Sequence, residues 1–267
     1  MREMPILDAF THSIQSTINN IKFAFHASWP WMLALLPISI IGNIYILSFG
    51  LFDPKAPLQP QVFLTSLAMG LCSMLAFSSI AVNWHRYILK DEVPFGMQRL
   101  RMDNLVARYF GNTLMIGILS GLVAMFIFMP VGLITWLLAA GAPTLGIISG
   151  GILAIAAFLF VIGLSVRWSI KLVAVAMGRT DFGISDAKRL TEGNHLRIVG
   201  LYLLVFLMLI MGALVIAGAS YGLANTGSTW TLSTLIVIQM AVNWISTIWN
   251  VTLLTSLYGY FVEGREF

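Results

Sequence analysis

Residues 112–139 read NTLMIGILSGLVAMFIFMPVGLITWLLA, twenty-eight consecutive positions without a charged side chain. A hydrocarbon core about 30 Å thick needs about 20 apolar residues at the α-helical rise of about 1.5 Å. The stretch therefore reads as a membrane-crossing helix, and it sets the scale for the rest of the chain. Five further runs meet it, at 29–50, 62–83, 145–166, 198–222 and 231–255. Turn residues separate them: Asp53-Pro54 with Pro57 and Pro60, Gly141-Ala142-Pro143, and Asn225-Thr226-Gly227. The period of two that marks a transmembrane barrel is absent, and helices satisfy their own backbone polar groups in lipid. The expected fold is all-α and polytopic, with six transmembrane helices in one integral membrane domain over 1–267.

Composition agrees. Of 267 residues, 58% are hydrophobic and 10% charged, against about 25% charged in soluble domains. A water-soluble fold is excluded. Cys72 is the single cysteine, so neither an intrachain disulfide nor a cysteine-built metal site is available. The first 28 residues mix polar and apolar types and do not read as a secretory signal peptide.

The charges give the orientation. Arg2, Lys22, Arg86, Lys90, Arg99, Arg101, Arg108, Arg167, Lys171, Arg179, Lys188, Arg189, Arg197 and Arg265 fall on one side of the predicted spans, and Lys55 alone on the other. Basic residues mark the cytoplasmic side, so both termini are expected there, in a bacterial inner (plasma) membrane.

An amphipathic segment precedes each pair of spans. In the first, Ile6, Phe10, Ile14, Ile18, Ile21 and Phe25 recur at spacings of four or three, the pattern of a helix with one apolar stripe. It suits a helix lying in the headgroup region or one packed on the bundle. The second segment carries Phe95-Gly96, Arg99-Leu100, Asn104, Arg108 and Gly111, and the third Phe182-Gly183, Arg189-Leu190, Asn194, Arg197 and Gly200. Upstream, Asn83-Trp84 and Arg167-Trp168 end the second and fourth spans in matching places. The expectation is three units, about 6–89, 95–177 and 182–263, each a lead helix followed by a hairpin.

Asn83-Trp84-His85-Arg86-Tyr87, the run from Phe182-Gly183 to Arg189-Leu190-Thr191-Glu192-Gly193-Asn194, and Leu257-Tyr258-Gly259 through Glu263-Gly264-Arg265 resemble stretches of six-helix membrane proteins of alphaproteobacteria. Those are similar to the membrane domain attached to some bacterial glycerophosphodiester phosphodiesterases and to YciC-like proteins. The resemblance implies fold and location. The phosphodiesterase catalytic domain has no counterpart here, so no catalytic residue is carried over.

No carboxylate lies within a predicted span, which counts against proton or cation relays and paired-carboxylate catalysis. No metal-spaced His or Cys cluster, nucleophile elbow or phosphate-cradling loop occurs. A non-enzymatic protein without a cofactor is expected. The most informative polar constellation is Gln239, Asn243, Ser246 and Asn250, spaced 4, 3 and 4 along the sixth span. Such a stripe should face the bundle interior or a wet cavity, as helix glue or as a pathway. Asn43, at similar depth, is the candidate partner of Gln239. Gly117/Gly121, Gly146/Gly150 and Gly218/Gly222 have close-packing spacing, Pro130 is placed to kink the third span, and Trp29, Trp31, Trp84, Trp168 and Trp230 read as interfacial anchors.

Arg99, Arg101, Arg108, Lys188, Arg189 and Arg197 set topology, and they are candidate contacts for anionic lipid headgroups. Nucleic acid is not an expected partner, since no aromatic-basic module accompanies the charge. Membrane lipids are, as is a membrane-protein partner or a second copy of the chain. The leading expectation is a scaffold or accessory component of a membrane complex or of envelope lipid homeostasis. The alternative is a carrier or channel for a lipid or small amphiphile along the sixth-span stripe.

Overall fold

The computed structural model describes residues 2–49, 59–224 and 229–267, and every regular element among them is helical. In chain order these are α1 (Ile6–Asn19), α2 (Ile21–Leu47), α3 (Pro60–Lys90), α4 (Asn104–Gly141), α5 (Pro143–Ala176), α6 (Ile184–Leu190), α7 (His195–Ala224) and α8 (Thr229–Val262), with a 3₁₀ turn at Gly96–Leu100. The helices α2, α3, α4, α5 and α7 are long and apolar enough to cross a membrane. The loop residues Asp53, Pro54, Lys55, Pro57, Asn225, Thr226 and Gly227 lie outside the described residues, as does the Trp230 side chain.

Local chemistry sets the ends. Pro60 and Pro143 open α3 and α5, where a missing N–H costs nothing. The Asp103 carboxylate caps α4, accepting from the Leu105 and Val106 amides at 3.0 and 3.1 Å. Asp91 ends α3 in the left-handed region at φ 54°, which Asp tolerates better than most residues. Helix α4 continues through Pro130 to Gly141, and only Ala142 separates it from α5. That turn forces α4 and α5 together along their length. A Cβ on Gly146 would stand 2.5 Å from the Ala139 Cα, and one on Gly150 2.4 Å from the Thr135 side chain. Gly117, Gly121 and Gly218 face open space instead, and the Gly222 side is not described.

The core lies at the end where the termini meet. Helices α3, α5 and α8 touch one another there; α4 packs on α3, α7 on α5 and α1 on α8. Trp84, Tyr109, Ile170, Ile198, Leu201, Ile248 and Leu257 are fully buried. Trp84 and Trp31 are thus core residues and not interfacial anchors; Trp29 is exposed and Trp168 half-buried. The distal halves are different. There the apolar side chains point outward, among them Phe126 and Met211 at 68% exposure and Trp136 at 67%.

The lead segments depart from expectation. The first breaks at Asn20, and its buried line is Ala9, Ser13 and Thr17, flanked by Ile6, Phe10 and Ile14. Ile18 of the predicted stripe is 63% exposed, and Phe25 is exposed too. Close packing on α7 and α8 favours small side chains over the larger apolar ones. Ser13 donates to the Phe10 carbonyl at 2.7 Å and accepts from the Trp249 indole at 2.9 Å. The second lead segment has only the 3₁₀ turn before α4, and the third only the two turns of α6.

Candidate functional site

Polar groups in the core join the helices. His85 of α3 is fully buried between Thr255 of α8 and Tyr109 of α4. Its Nδ1 lies 2.8 Å from the Thr255 hydroxyl and its Nε2 3.3 Å from the Tyr109 hydroxyl. Thr255 gives its one proton to the Val251 carbonyl at 2.8 Å. Nδ1 must then carry the imidazole proton, and Nε2 accepts from Tyr109. The arrangement ties three helices together through one neutral side chain.

Next to Thr255 is a cavity of 240 Å³ whose lining includes His12, Ser256, Tyr260, Arg265 and Glu266. The His12 Nδ1 stands 3.2 Å from the Ser256 hydroxyl, a spacing that invites comparison with a nucleophile and its base. The proton count points elsewhere. Ser256 has a second acceptor in the Thr252 carbonyl at 3.1 Å, and with its proton turned there the imidazole is the donor to the hydroxyl. Burial holds the His12 imidazole below its ordinary pKa, which keeps it neutral near pH 7. Among the described residues, no three His, Cys, Asp or Glu side chains gather to hold a metal ion.

The polar stripe of α8 does not face the interior. Gln239, Asn243 and Asn250 are exposed and Ser246 is half-buried. Each satisfies itself along its own helix. Gln239 donates to Asn243 Oδ1 at 3.1 Å, Ser246 to the Val242 carbonyl at 2.7 Å, and Asn250 to the Ser246 carbonyl at 3.0 Å. Asn43 is exposed as well and turns back to the Ser39 carbonyl at 2.7 Å, with no bond to Gln239. Helical spacing correctly put the amides on one face. At Asn250 that face is exposed because α8 buries the neighbouring one, Ile248, Trp249, Val251 and Thr252, against the core; around Gln239 the neighbours Ile238, Met240 and Ala241 are exposed as well.

Most of the basic residues are committed internally. Arg101 joins Glu92 at 3.2 Å and Asp103 at 2.6 Å; Arg86 pairs with Glu92 as well, and together they hold that carboxyl below the usual range. Arg108 donates to the Arg179 carbonyl at 3.3 Å. Arg197 pairs with Glu3 and donates to the Met4 carbonyl at 3.2 Å. Arg189 pairs with Asp186 at 3.0 Å. Arg99 is half-buried, its Nε sealed without a partner. Lys188 is exposed, and no side-chain bond holds its ammonium among the described residues.

The residues that sequence pattern missed are those that close the bundle. Asn194 accepts from the Met4 amide at 2.9 Å and donates to the Arg2 carbonyl at 3.0 Å. Tyr260 donates to the Glu3 carbonyl at 2.7 Å. His85 and Tyr260 belong to no periodic pattern, and Asn194 has a place in the repeated lead segment that gives no sign of what its side chain holds. Compared with protein families, characterised proteins and solved structures, the chain matches none.

Proposed function

We propose that the protein is a six-span protein of the bacterial inner membrane, with α8 as the sixth span and both termini cytoplasmic. In this reading it acts without catalysis, as a scaffold or accessory component of a membrane complex or of envelope lipid homeostasis. The observation that carries the proposal is the outward turn of the α8 amides. Polar side chains on the lipid-facing surface of a span offer hydrogen bonds to another transmembrane helix, each worth about 1 kcal/mol. The packing of each lead segment on the last helix of the unit before it, α1 on α8, the 3₁₀ turn on α3 and α6 on α5, supports the three-unit repeat. The resemblance to the membrane domain of the glycerophosphodiester phosphodiesterases supports the six-span fold and the membrane location. The test is purification in mild detergent with identification of what accompanies the chain. A stoichiometric membrane-protein partner, lost when Asn243 and Asn250 are both changed to Leu, is the expected result. A lone monomer carrying an ordered internal lipid overturns it.

That second outcome belongs to the carrier reading, which one observation favours. Between α2 and α3 lies an apolar crevice of 550 Å³ lined by Ile38, Ile41, Gly42, Leu64, Met69 and Cys72. Its lining suits an acyl chain.

A further inference from the structure

Asn83 and Arg167 occupy matching places in the first and second units, and both perform the same clasp. The Asn83 amide donates to the carbonyls of Gln98 and Arg99 at 3.5 and 3.2 Å. Arg167 donates through Nη2 to the Lys188 carbonyl and through Nε to the Thr191 hydroxyl, both at 2.8 Å. Gln98 and Lys188 each precede the Arg-Leu pair of their segment, so the same carbonyl is held in both units. A neutral amide suffices for that task. The charge on Arg167 is therefore surplus to the clasp.

That charge is costly where it sits. Arg167 is only 9% exposed, and among the described residues it has no ion pair within 4.0 Å. A mostly buried guanidinium with no carboxylate in contact loses hydration that nothing adjacent restores, and Glu192 acts on it only across the pocket. Its remaining nitrogen, Nη1, has no protein partner, yet it is not sealed in. Arg167 borders a pocket of 390 Å³ whose other walls are Ser185, Lys188, Arg189, Glu192 and Gly193. Arg189 is held by Asp186. The uncommitted cations, Arg167 and Lys188, face one carboxylate, Glu192. One positive charge is left over, with the Ser185 hydroxyl beside it.

We propose that this pocket is an anion site that takes a phosphate group, bound by Arg167 and Lys188 with Ser185 as an additional donor. The phosphate is that of a lipid headgroup or of free inorganic phosphate. A guanidinium with an open nitrogen suits a phosphate oxygen, and the ammonium supplies a second point charge. The proposal extends the reading of the basic face as the cytoplasmic surface of the membrane.

The test is a native mass-spectrometry titration of the delipidated full-length chain with phosphatidylglycerol, using diacylglycerol as the phosphate-free control. Phosphatidylglycerol should bind about tenfold tighter than diacylglycerol, the worth of one charge-assisted hydrogen bond. Arg167→Asn, which installs the residue of the first unit, should abolish that preference. Lys188→Ala should weaken it about fivefold, the effect of one basic residue at an anionic headgroup. The Lys188 side chain holds no bond in the fold, so this variant decides the matter alone where Arg167→Asn fails to fold. Competition by inorganic phosphate identifies free phosphate as the occupant; absence of competition identifies the lipid. An unchanged preference in the folded variants overturns the site. It would leave the scaffold proposal standing, since that rests on the α8 amides and on co-purification.

Discussion

The two halves of the molecule are held by different means. At the end where the termini meet, α1, α3, α4, α5, α7 and α8 converge and bury Trp84, Tyr109, Ile198 and Leu257 completely. Buried polar groups join them: His85 links α3, α4 and α8, and Asn194 holds the backbone of Arg2 and Met4. In the distal half the apolar side chains turn outward, and α4 and α5 find their partner in each other. The contrast shows where specificity resides. Side-chain identity decides the converging end, because every neighbour is protein. On the outward faces of the distal end hydropathy alone decides, because lipid accepts any apolar side chain; only the α4–α5 contact at Gly146 and Gly150 demands particular residues.

Substitutions at the two ends should therefore behave unequally. Trp84→Ala should cost about 3–5 kcal/mol of stability in detergent, the usual loss for a fully buried aromatic, while Trp136→Ala in the distal half should cost less than about 0.5 kcal/mol. Thermal unfolding of the two variants side by side measures the difference, and equal losses would break the comparison. Tyr109→Phe removes the donor to His85 and leaves a buried acceptor unpaired, a loss of about 1–3 kcal/mol. Chemical unfolding of that variant checks it.

Acidity offers a subtler probe of the same end. The Glu92 carboxyl is held below its ordinary pKa, first by its hydrogen bond from Arg86. Above the unfolded value the group is ionised in both states, and its contribution is fully present. As pH falls below about 4.5, the unfolded chain takes up the proton first, and the contribution is lost on passing through the folded value. Stability should fall over that window, and Glu92→Gln should flatten the fall. The smallest effect belongs to the distal amides. Asn43→Ala and Gln239→Ala should be additive within about 0.5 kcal/mol in a double-mutant cycle, because each amide bonds along its own helix.

Much of the architecture was legible in the sequence, for physical reasons that name its limits. Span lengths follow from bilayer thickness, so the long helices were found at nearly their observed places, α4 and α5 each extending past the predicted run towards the basic end. Helical spacing placed Gln239, Asn243, Ser246 and Asn250 on one face, but periodicity says nothing about which way a face turns. That depends on which neighbouring face packs better, here the one carrying Trp249 and Thr252. In α1 the largest apolar residues drew attention, whereas close helix contact selected Ala9, Ser13 and Thr17. His85 gave no pattern at all, since one imidazole that joins three helices leaves no periodic trace. The basic residues were read by their charge. Among the described residues most of them are spent on carboxylates and carbonyls, and Arg167 is held by a hydroxyl and a carbonyl without a carboxylate in contact.

A nitroxide scan tests the orientation of α8 most directly. Single labels would be placed along positions 238–255 of the full-length chain, with Cys72 replaced by Ser, in a lipid bilayer. Collision with dissolved oxygen then reports exposure to lipid. Accessibility should peak at Asn243 and Asn250 and reach its minima at Ile248, Trp249 and Thr252. Minima at Gln239, Asn243 and Asn250 would turn the amides into the bundle and contradict the outward polar face on which the scaffold proposal stands.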